Sequence, residues 1–202
     1  FSAWYGIESL IVIQQVDERF NAIPGTEIPF EVDTLLLSIG LIPDTILLDN
    51  FDIEFDPKTK SAAINQACET GIKGLFIAGN SLQVHDLADN VSKESERAGK
   101  HASEFVRENQ VPGKKIKVTP KTNINYVSPQ YIDFTWKQAE IILSFRSTKK
   151  IEKGLLKITQ GEKEIFSKRL NFVVPAEMES INLDINHISD EQPLVLELEE
   201  LS

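Results

Sequence analysis

The sequence predicts an α/β region followed by an all-β region. Leu75 to Ala78 is a short apolar run that ends at Gly79, and a polar loop and a helix from about Val91 to Glu108 come after it. From Ile116 onward, short strand patterns follow one another with no helical stretch between them. A buried strand, a glycine and a helix are typical of α/β proteins, whereas successive short strands are typical of β-sandwiches.

The N-terminal part of the chain is rich in strand patterns. Ile7 to Val16 is dense in β-branched residues, and Glu27 to Val32 alternates after a Pro24-Gly25 turn, so the two are expected to form a strand and its return. Asp33 to Gly40 is almost entirely apolar. This pattern predicts a strand that is covered on both faces.

The middle of the chain predicts less regular structure before its helix. Ile46 to Phe55 is expected to be a loop or a short helical piece, and Ala62 to Asn65 a short strand. Ser92 is predicted to cap the helix, because its hydroxyl can accept a free backbone N–H. The apolar residues that recur at helical spacing predict one buried face, made of Val91, Ala98, Ala102, Phe105 and Val106.

A polar segment with a Pro112-Gly113 pair then predicts a linker into the all-β region. Eight strands are expected there, at Ile116 to Val118, Ile124 to Val127, Tyr131 to Trp136, Glu140 to Arg146, Leu155 to Gln160, Lys163 to Asn171, Ser180 to Ile185 and Leu194 to Leu198. Their spacing predicts an antiparallel β-sandwich of immunoglobulin or fibronectin III type. A basic cluster is expected to be a solvated loop, or a docking patch for an acidic partner; it comprises Arg146, Lys149, Lys150 and Lys153.

Composition narrows the class of function. The 202 residues carry a formal net charge of −10, which argues against nucleic acid and anionic membrane surfaces as partners. The single cysteine, Cys68, excludes an internal disulfide and a Cys-x-x-Cys redox pair, and it is expected to be a small buried hydrophobe. The sequence has no long apolar run and no secretion signal, so we expect a cytoplasmic protein without a membrane span.

The residues around Gly79 also carry a family resemblance. Leu-Phe-Ile-Ala-Gly-Asn ends at Asn80, and His85-Asp86-Leu87 and Ser92-Lys93-Glu94 follow it. This order resembles the last FAD-contacting motif of NAD(P)/FAD-dependent dehydrogenases in the pyridine nucleotide-disulfide oxidoreductase superfamily. Most relatives have aspartate where this chain has Asn80. Leu35 to Pro43 resembles the superfamily's Ala-x-Gly-x-x-Pro segment.

The resemblance implies a domain organisation. Residues 1–43 would be the tail of an NAD(P)H-binding domain, residues 44–112 the C-terminal part of an FAD-binding domain, and residues 113–202 a β-sandwich. The chain contains no Gly-x-Gly-x-x-Gly turn, which supplies the pyrophosphate site for either dinucleotide. We therefore expect a C-terminal portion of a larger enzyme that loses FAD and is inactive by itself.

The resemblance also implies site residues. Gly79 and Asn80 would lie by the ribityl and pyrophosphate part of FAD, and the backbone of Asn90, Val91 and Ser92 would face the pyrimidine edge of the flavin. His85 is the candidate acid or base near the flavin. The alternative for His85 is a loop histidine paired with Asp86. No metal site is expected, because no histidines share metal-ligand spacing.

Two functions of different classes follow. In the first, the full-length enzyme passes electrons from NAD(P)H through FAD to an acceptor, which is another protein, a small organic substrate or oxygen. The β-sandwich would then dock a partner subunit. In the second, the chain is a self-contained interaction module without a cofactor.

Overall fold

The chain is mainly β-structure in its described parts. The computed structural model describes residues 9–17, 21–36, 40–107 and 111–201. It divides into two compact units, Phe1–Gly40 and Leu41–Ser202, and each is described by itself. Together the described ranges hold three sheets and one α-helix.

The first unit is a two-stranded antiparallel sheet. Strand β1 (Ser9–Ile13) pairs with β2 (Ile28–Val32), which confirms the predicted strand and its return. The third predicted strand, Asp33 to Gly40, is wrong over its described part: residues 34–36 have no strand pairing, and residues 37–39 lie outside the described residues. The physical reason is lack of cover, because Leu35 and Leu36 are exposed.

The second unit begins with irregular structure. A short 3-10 helix covers Ile46–Leu48, as expected for that stretch. Neither Ala62 to Asn65 nor Leu75 to Ala78 forms a strand, and both predictions are wrong. Each stretch makes only isolated bridges, among them Phe55 to Ala62 and Glu69 to Phe76.

Side chains explain why the first of those stretches is not a strand. Residues 61–70 are all buried, whereas a strand on a half-buried sheet alternates. The backbone N–H groups of Ala67 and Glu69 donate to the side chain of Asn65, and that of Ile64 donates to the side chain of Gln130. These backbone N–H groups, which would pair with a neighbouring strand in a sheet, therefore donate to side chains instead.

Helix α1 (Ala88–Arg107) confirms the predicted helix but begins three residues earlier. Its buried residues are Glu94, Ala98 and His101, so one predicted apolar position fits. Val106 does not fit, because its side chain is 84% exposed.

All eight strands of the all-β region are present. They are β3 (Lys115–Pro120), β4 (Ile124–Ser128), β5 (Tyr131–Asp133), β6 (Glu140–Ser147), β7 (Ile151–Gln160), β8 (Lys163–Val173), β9 (Glu179–Asp184) and β10 (Leu194–Glu200). Five form a sheet in the order β5-β3-β10-β7-β8, and three form a sheet in the order β4-β6-β9. Side chains from both sheets meet in one hydrophobic core, including Leu143, Phe145, Leu196 and Leu198.

One pairing differs from the predicted antiparallel arrangement. Strand β10 runs parallel to β3, with Leu194 opposite Val118, and antiparallel to β7. Parallel neighbours need a long crossover, and here the chain from β4 to β9 supplies it. The first and last strands of the region are therefore neighbours within the larger sheet.

Residues 54–69 are joined to strand β5 and its surroundings by buried polar contacts. The Gln66 carboxamide donates to the Asp133 carbonyl and accepts the Asp133 N–H, each at 2.8 Å. The indole N–H of Trp136 donates to Glu69 Oε2 at 3.2 Å. The Gly79 region and the sheets thus belong to one packed unit.

Candidate functional site

The site is built on a glycine turn. Gly79 is buried, has a φ of +69°, and begins a short 3-10 helix, Gly79–Ser81. A Cβ at this position would lie 3.2 Å from Cγ1 of Val91. Both the left-handed backbone and the close approach to α1 therefore favour glycine.

Asn80 projects from this turn and is exposed. Its Oδ1 accepts the backbone N–H of His85 at 3.3 Å. Its amide nitrogen has no hydrogen-bond partner among the described residues. The side chain therefore closes the loop with its oxygen and leaves N–H donors for solvent or a ligand.

A buried carboxylate on α1 organises the loop. Glu94, whose side chain is 4% exposed, accepts the Gly79 N–H at 2.7 Å, the Gln83 amide at 2.7 Å and the His85 Nε2 at 3.0 Å. A guanidinium nitrogen of Arg97 lies 3.9 Å away. Buried carboxylates need such donors, because an unpaired charge in the interior is costly.

His85 is held by Glu94 and is almost fully buried, at 3% side-chain exposure. His85 is thus a hydrogen-bonded loop histidine, as the alternative expected, but its partner is Glu94 and not Asp86, whose carboxylate binds Arg146. With Nε2 against the carboxylate, that nitrogen carries the proton. The other nitrogen, Nδ1, is buried and has no partner in the described parts of the chain.

The start of α1 differs from the expected one. Asn90, Val91 and Ser92 are the third, fourth and fifth helical residues. The Asn90 N–H already donates to the Leu87 carbonyl at 3.1 Å. Ser92 does not cap the helix, since its hydroxyl donates to the Ala88 carbonyl at 3.3 Å. The free N–H groups of the first turn belong to residues before Asn90.

Asn90 and His85 share a cavity of about 200 Å³ beside α1 and the three-stranded sheet. Polar side chains dominate its wall, among them Lys93, Glu94, Arg97, Ser144, Ser180 and Asn182. The structure thus brings together Gly79, Asn80, His85, Asn90 and Val91. Ser92 is exposed on the helix and is not among the residues that line this cavity.

Arg146 is a part of the site that sequence reasoning missed. Its side chain is 14% exposed and lies 2.6 Å from Asp86, so the prediction of a solvated basic loop is wrong for this residue. The guanidinium also donates to the Tyr126 hydroxyl, to the Val84 carbonyl and to the carbonyls of Pro175 and Ala176. The second Asp86 oxygen accepts the Met178 N–H at 2.8 Å.

Cys68 is buried beneath the turn, as predicted. Burial raises the pKa of its thiol, and nearby Arg97 opposes this effect. The thiol is therefore protonated at neutral pH and unsuited to act as a nucleophile.

No protein-family model, curated protein or solved structure matched this chain in the three comparisons. Within residues 9–17, 21–36, 40–107 and 111–201, no helix is long and apolar enough to cross a membrane.

Proposed function

We propose that this chain is the C-terminal portion of an FAD-dependent oxidoreductase that passes electrons from NAD(P)H through FAD to an acceptor. The observation that carries the proposal is the Gly79 turn. Its backbone is fixed by Glu94, Asn80 stands exposed beside it, and α1 begins a few residues later. Free backbone N–H groups and a partial positive charge at a helix N-terminus can bind the electron-rich groups of a cofactor.

The residues present fit one end of FAD. The Asn80 amide can donate to a ribityl or pyrophosphate oxygen, and the first turn of α1 offers N–H groups and a partial positive charge to the flavin pyrimidine edge. Bound FAD would supply the transfer of hydride and electrons. The chain itself would orient the cofactor through Asn80 and support that loop through Glu94.

A second segment supports this assignment. Leu41, Ile42 and Pro43 line one cavity together with Gln83, Val84 and Asp86. The ends of the two segments that carry the family resemblance therefore lie close together within the second unit. In the same proposal, the two sheets form a sandwich of immunoglobulin or fibronectin III type, and the protein is cytoplasmic.

The decisive experiment uses the full-length polypeptide isolated from its natural source. We expect a flavin band at about 450 nm that NADH or NADPH bleaches, whereas the 202-residue chain alone should purify without FAD. In the full-length protein, Asn80→Ala should raise the Kd for FAD about tenfold, because one hydrogen bond to a charged group is lost. Asn80→Asp should retain binding, and Asn50→Ala, at another exposed asparagine, should change nothing.

The alternative function is a cofactor-free interaction module. The observation that favours it is a set of exposed apolar side chains in the second unit: Leu41, Ile42, Ile46, Leu47, Phe51 and Phe55. Exposed apolar groups of this size are typical of surfaces that bind another protein. A colourless full-length protein that binds neither FAD nor NAD(P)H would favour this alternative.

A further inference from the structure

The cavity that Leu41, Ile42 and Pro43 line also borders the loop that carries His85. Its volume is about 370 Å³, at the lower end of the range for small-molecule sites. It is also bordered by the Lys58–Lys60 turn, by Gln83, Val84 and Asp86, and by Tyr126 and Arg146. This size suits a compact ligand and is small for a dinucleotide.

The turn presents two lysines in a fixed position. The Asp56 side chain accepts the N–H groups of Lys58 at 2.7 Å and Thr59 at 3.0 Å, and the Asp56 carbonyl accepts the N–H of Lys60 at 2.9 Å. The Ser61 hydroxyl donates to the Ser81 carbonyl at 2.7 Å, which ties the turn to the segment just before Gln83. The backbone that carries the two lysines is therefore fixed at both ends of the turn.

The charges around this cavity do not balance. Arg146 is neutralised by Asp86, whereas Lys58 and Lys60 form no ion pair with any described residue. Several other lysines do, including Lys115 with Asp133 and Lys157 with Glu199. Two lysines without an ion pair at one cavity stand out in a chain whose formal net charge is −10, although the Asp56 carboxylate lies in the same turn.

A neutral donor completes the wall. The Tyr126 hydroxyl accepts a hydrogen bond from Arg146 Nε at 3.1 Å, so its own hydrogen is free to donate. Burial raises the pKa of Tyr126, although Arg146 opposes this effect, and the phenol remains protonated at neutral pH. Two ammonium groups and one O–H donor match the acceptor-rich surface of an oxyanion.

We propose that the cavity bounded by Lys58, Lys60 and Tyr126 binds a small divalent oxyanion, either a phosphate monoester or a dicarboxylate. The site is separate from the proposed flavin contacts at Asn80 and the start of α1, and it does not depend on them. Its ligand would lie beside the His85 loop, whose other face contacts Glu94.

The test is calorimetric titration of the 202-residue chain at low ionic strength with ribose 5-phosphate, inorganic phosphate, succinate and FAD. We expect ribose 5-phosphate or succinate to bind with a Kd below about 1 mM, and the stronger of the two identifies the source of the oxyanion. Lys58→Gln with Lys60→Gln should raise that Kd at least about tenfold, because two charge-assisted contacts are lost. Tyr126→Phe should raise it about threefold or more, since one neutral donor is lost.

The matched control is Lys73→Gln with Lys168→Gln, which removes two exposed lysines away from this cavity and causes the same change in net charge. It should leave the Kd within about twofold, because neither lysine lines the cavity. Equal losses in both double variants, or no binding of any small oxyanion, would overturn the proposal. Binding of FAD without binding of any small oxyanion would also overturn it. The flavin proposal is tested on the full-length polypeptide, so the two proposals fail separately.

Discussion

At the scale of single residues, Glu94 is the group on which the loop depends most. It accepts hydrogen bonds from Gly79, Gln83 and His85 in a buried setting. Glu94→Ala should lower the free energy of unfolding by about 3 to 5 kcal/mol, because buried donors lose their acceptor. Urea denaturation measures this change. Glu96→Ala, at an exposed position on the same helix, should cost less than about 0.5 kcal/mol, and equal effects at both positions would contradict the buried network.

Substitution by alanine should have opposite effects on stability at Gly79 and Gly99. Gly79→Ala should destabilise by more than about 1 kcal/mol, because its φ is +69° and a Cβ would lie 3.2 Å from Val91. Gly99→Ala should stabilise by about 0.5 to 1 kcal/mol, since Gly99 lies within α1 and a Cβ there meets nothing within 4 Å. Thermal denaturation of both variants measures the difference. A stabilising Gly79→Ala would rule out the turn as described.

His101 should make stability depend on pH. It is buried in α1, and its ring packs edge-on to Trp136 at 5.2 Å. Burial lowers the pKa of His101, and Glu104 only partly opposes this. A group with a lowered folded pKa stabilises fully above its unfolded pKa of about 6.5 and loses that contribution as pH falls through the folded pKa.

The comparison that isolates this effect is His101→Phe, which keeps an aromatic ring against Trp136. Between about pH 7.5 and pH 5, the variant should lose less stability than the wild-type chain in urea denaturation, because one titrating group is removed. His187→Gln, at an exposed histidine, should behave like the wild type. If His101→Phe and wild type lose the same stability, protonation of His101 is not responsible.

At the scale of elements, Arg146 connects β6 to the His85 loop and to the segment between β8 and β9. It contacts Asp86 and the Val84 carbonyl on one side, and the Ala176 carbonyl on the other. The sheets therefore hold the His85 loop in place, whether or not they also bind a partner protein. This support is a structural reason for the all-β region to accompany the Gly79 turn.

A double-mutant cycle of Arg146→Gln and Asp86→Asn measures this connection. We expect a coupling energy of about 1 to 3 kcal/mol, because the pair is partly buried and shares a hydrogen-bond network. The exposed pair Lys150 and Glu152 is the control and should couple by less than about 1 kcal/mol. A coupling for Arg146 and Asp86 that is no larger than the control would show that the contact contributes little to holding the loop.

At the scale of the whole molecule, the sequence predicts features that depend on neighbouring residues. Leu196 and Leu198 alternate with Glu197 and Glu199, and this local period identifies a strand with one buried face. The pairing of β10 with β3 is different in kind, because the partner lies far away in the chain. Periodicity predicts strands but not which strands are neighbours.

The site was predictable only in part for the same reason. The Gly79-Asn80 pair follows an apolar run, so its position in the chain is visible. Glu94 and Arg146 carry charges that are normally solvated, and their burial depends on distant partners such as Gln83 and Asp86. Likewise, the Ile64 N–H donates to the side chain of Gln130, a residue far away in the chain, and no propensity scale records such a partner.

The packing of the second unit leads to a prediction about folding cooperativity. A domain boundary between residues 112 and 113 predicts two independent parts, whereas Leu41–Ser202 is one compact unit joined by buried contacts such as Gln66 with Asp133. In a Trp4→Phe background, Trp136 is the one remaining tryptophan, so its fluorescence reports on the contact region. We expect its urea transition to coincide with the far-UV circular dichroism transition.

The Gln66→Ala variant sharpens this test. It removes the partner of the buried Asp133 N–H and one of the two N–H donors to the Asp133 carbonyl, which keeps the Trp136 N–H, so both transitions should move together by about 1 to 3 kcal/mol. Gln192→Ala, at an exposed glutamine, should leave both transitions unchanged. If Gln66→Ala shifts only the fluorescence transition, or if the two transitions are separate in the parent protein, the Gly79 region and the sheets fold independently. The support of the loop by Arg146 would then be a contact between domains rather than part of one core.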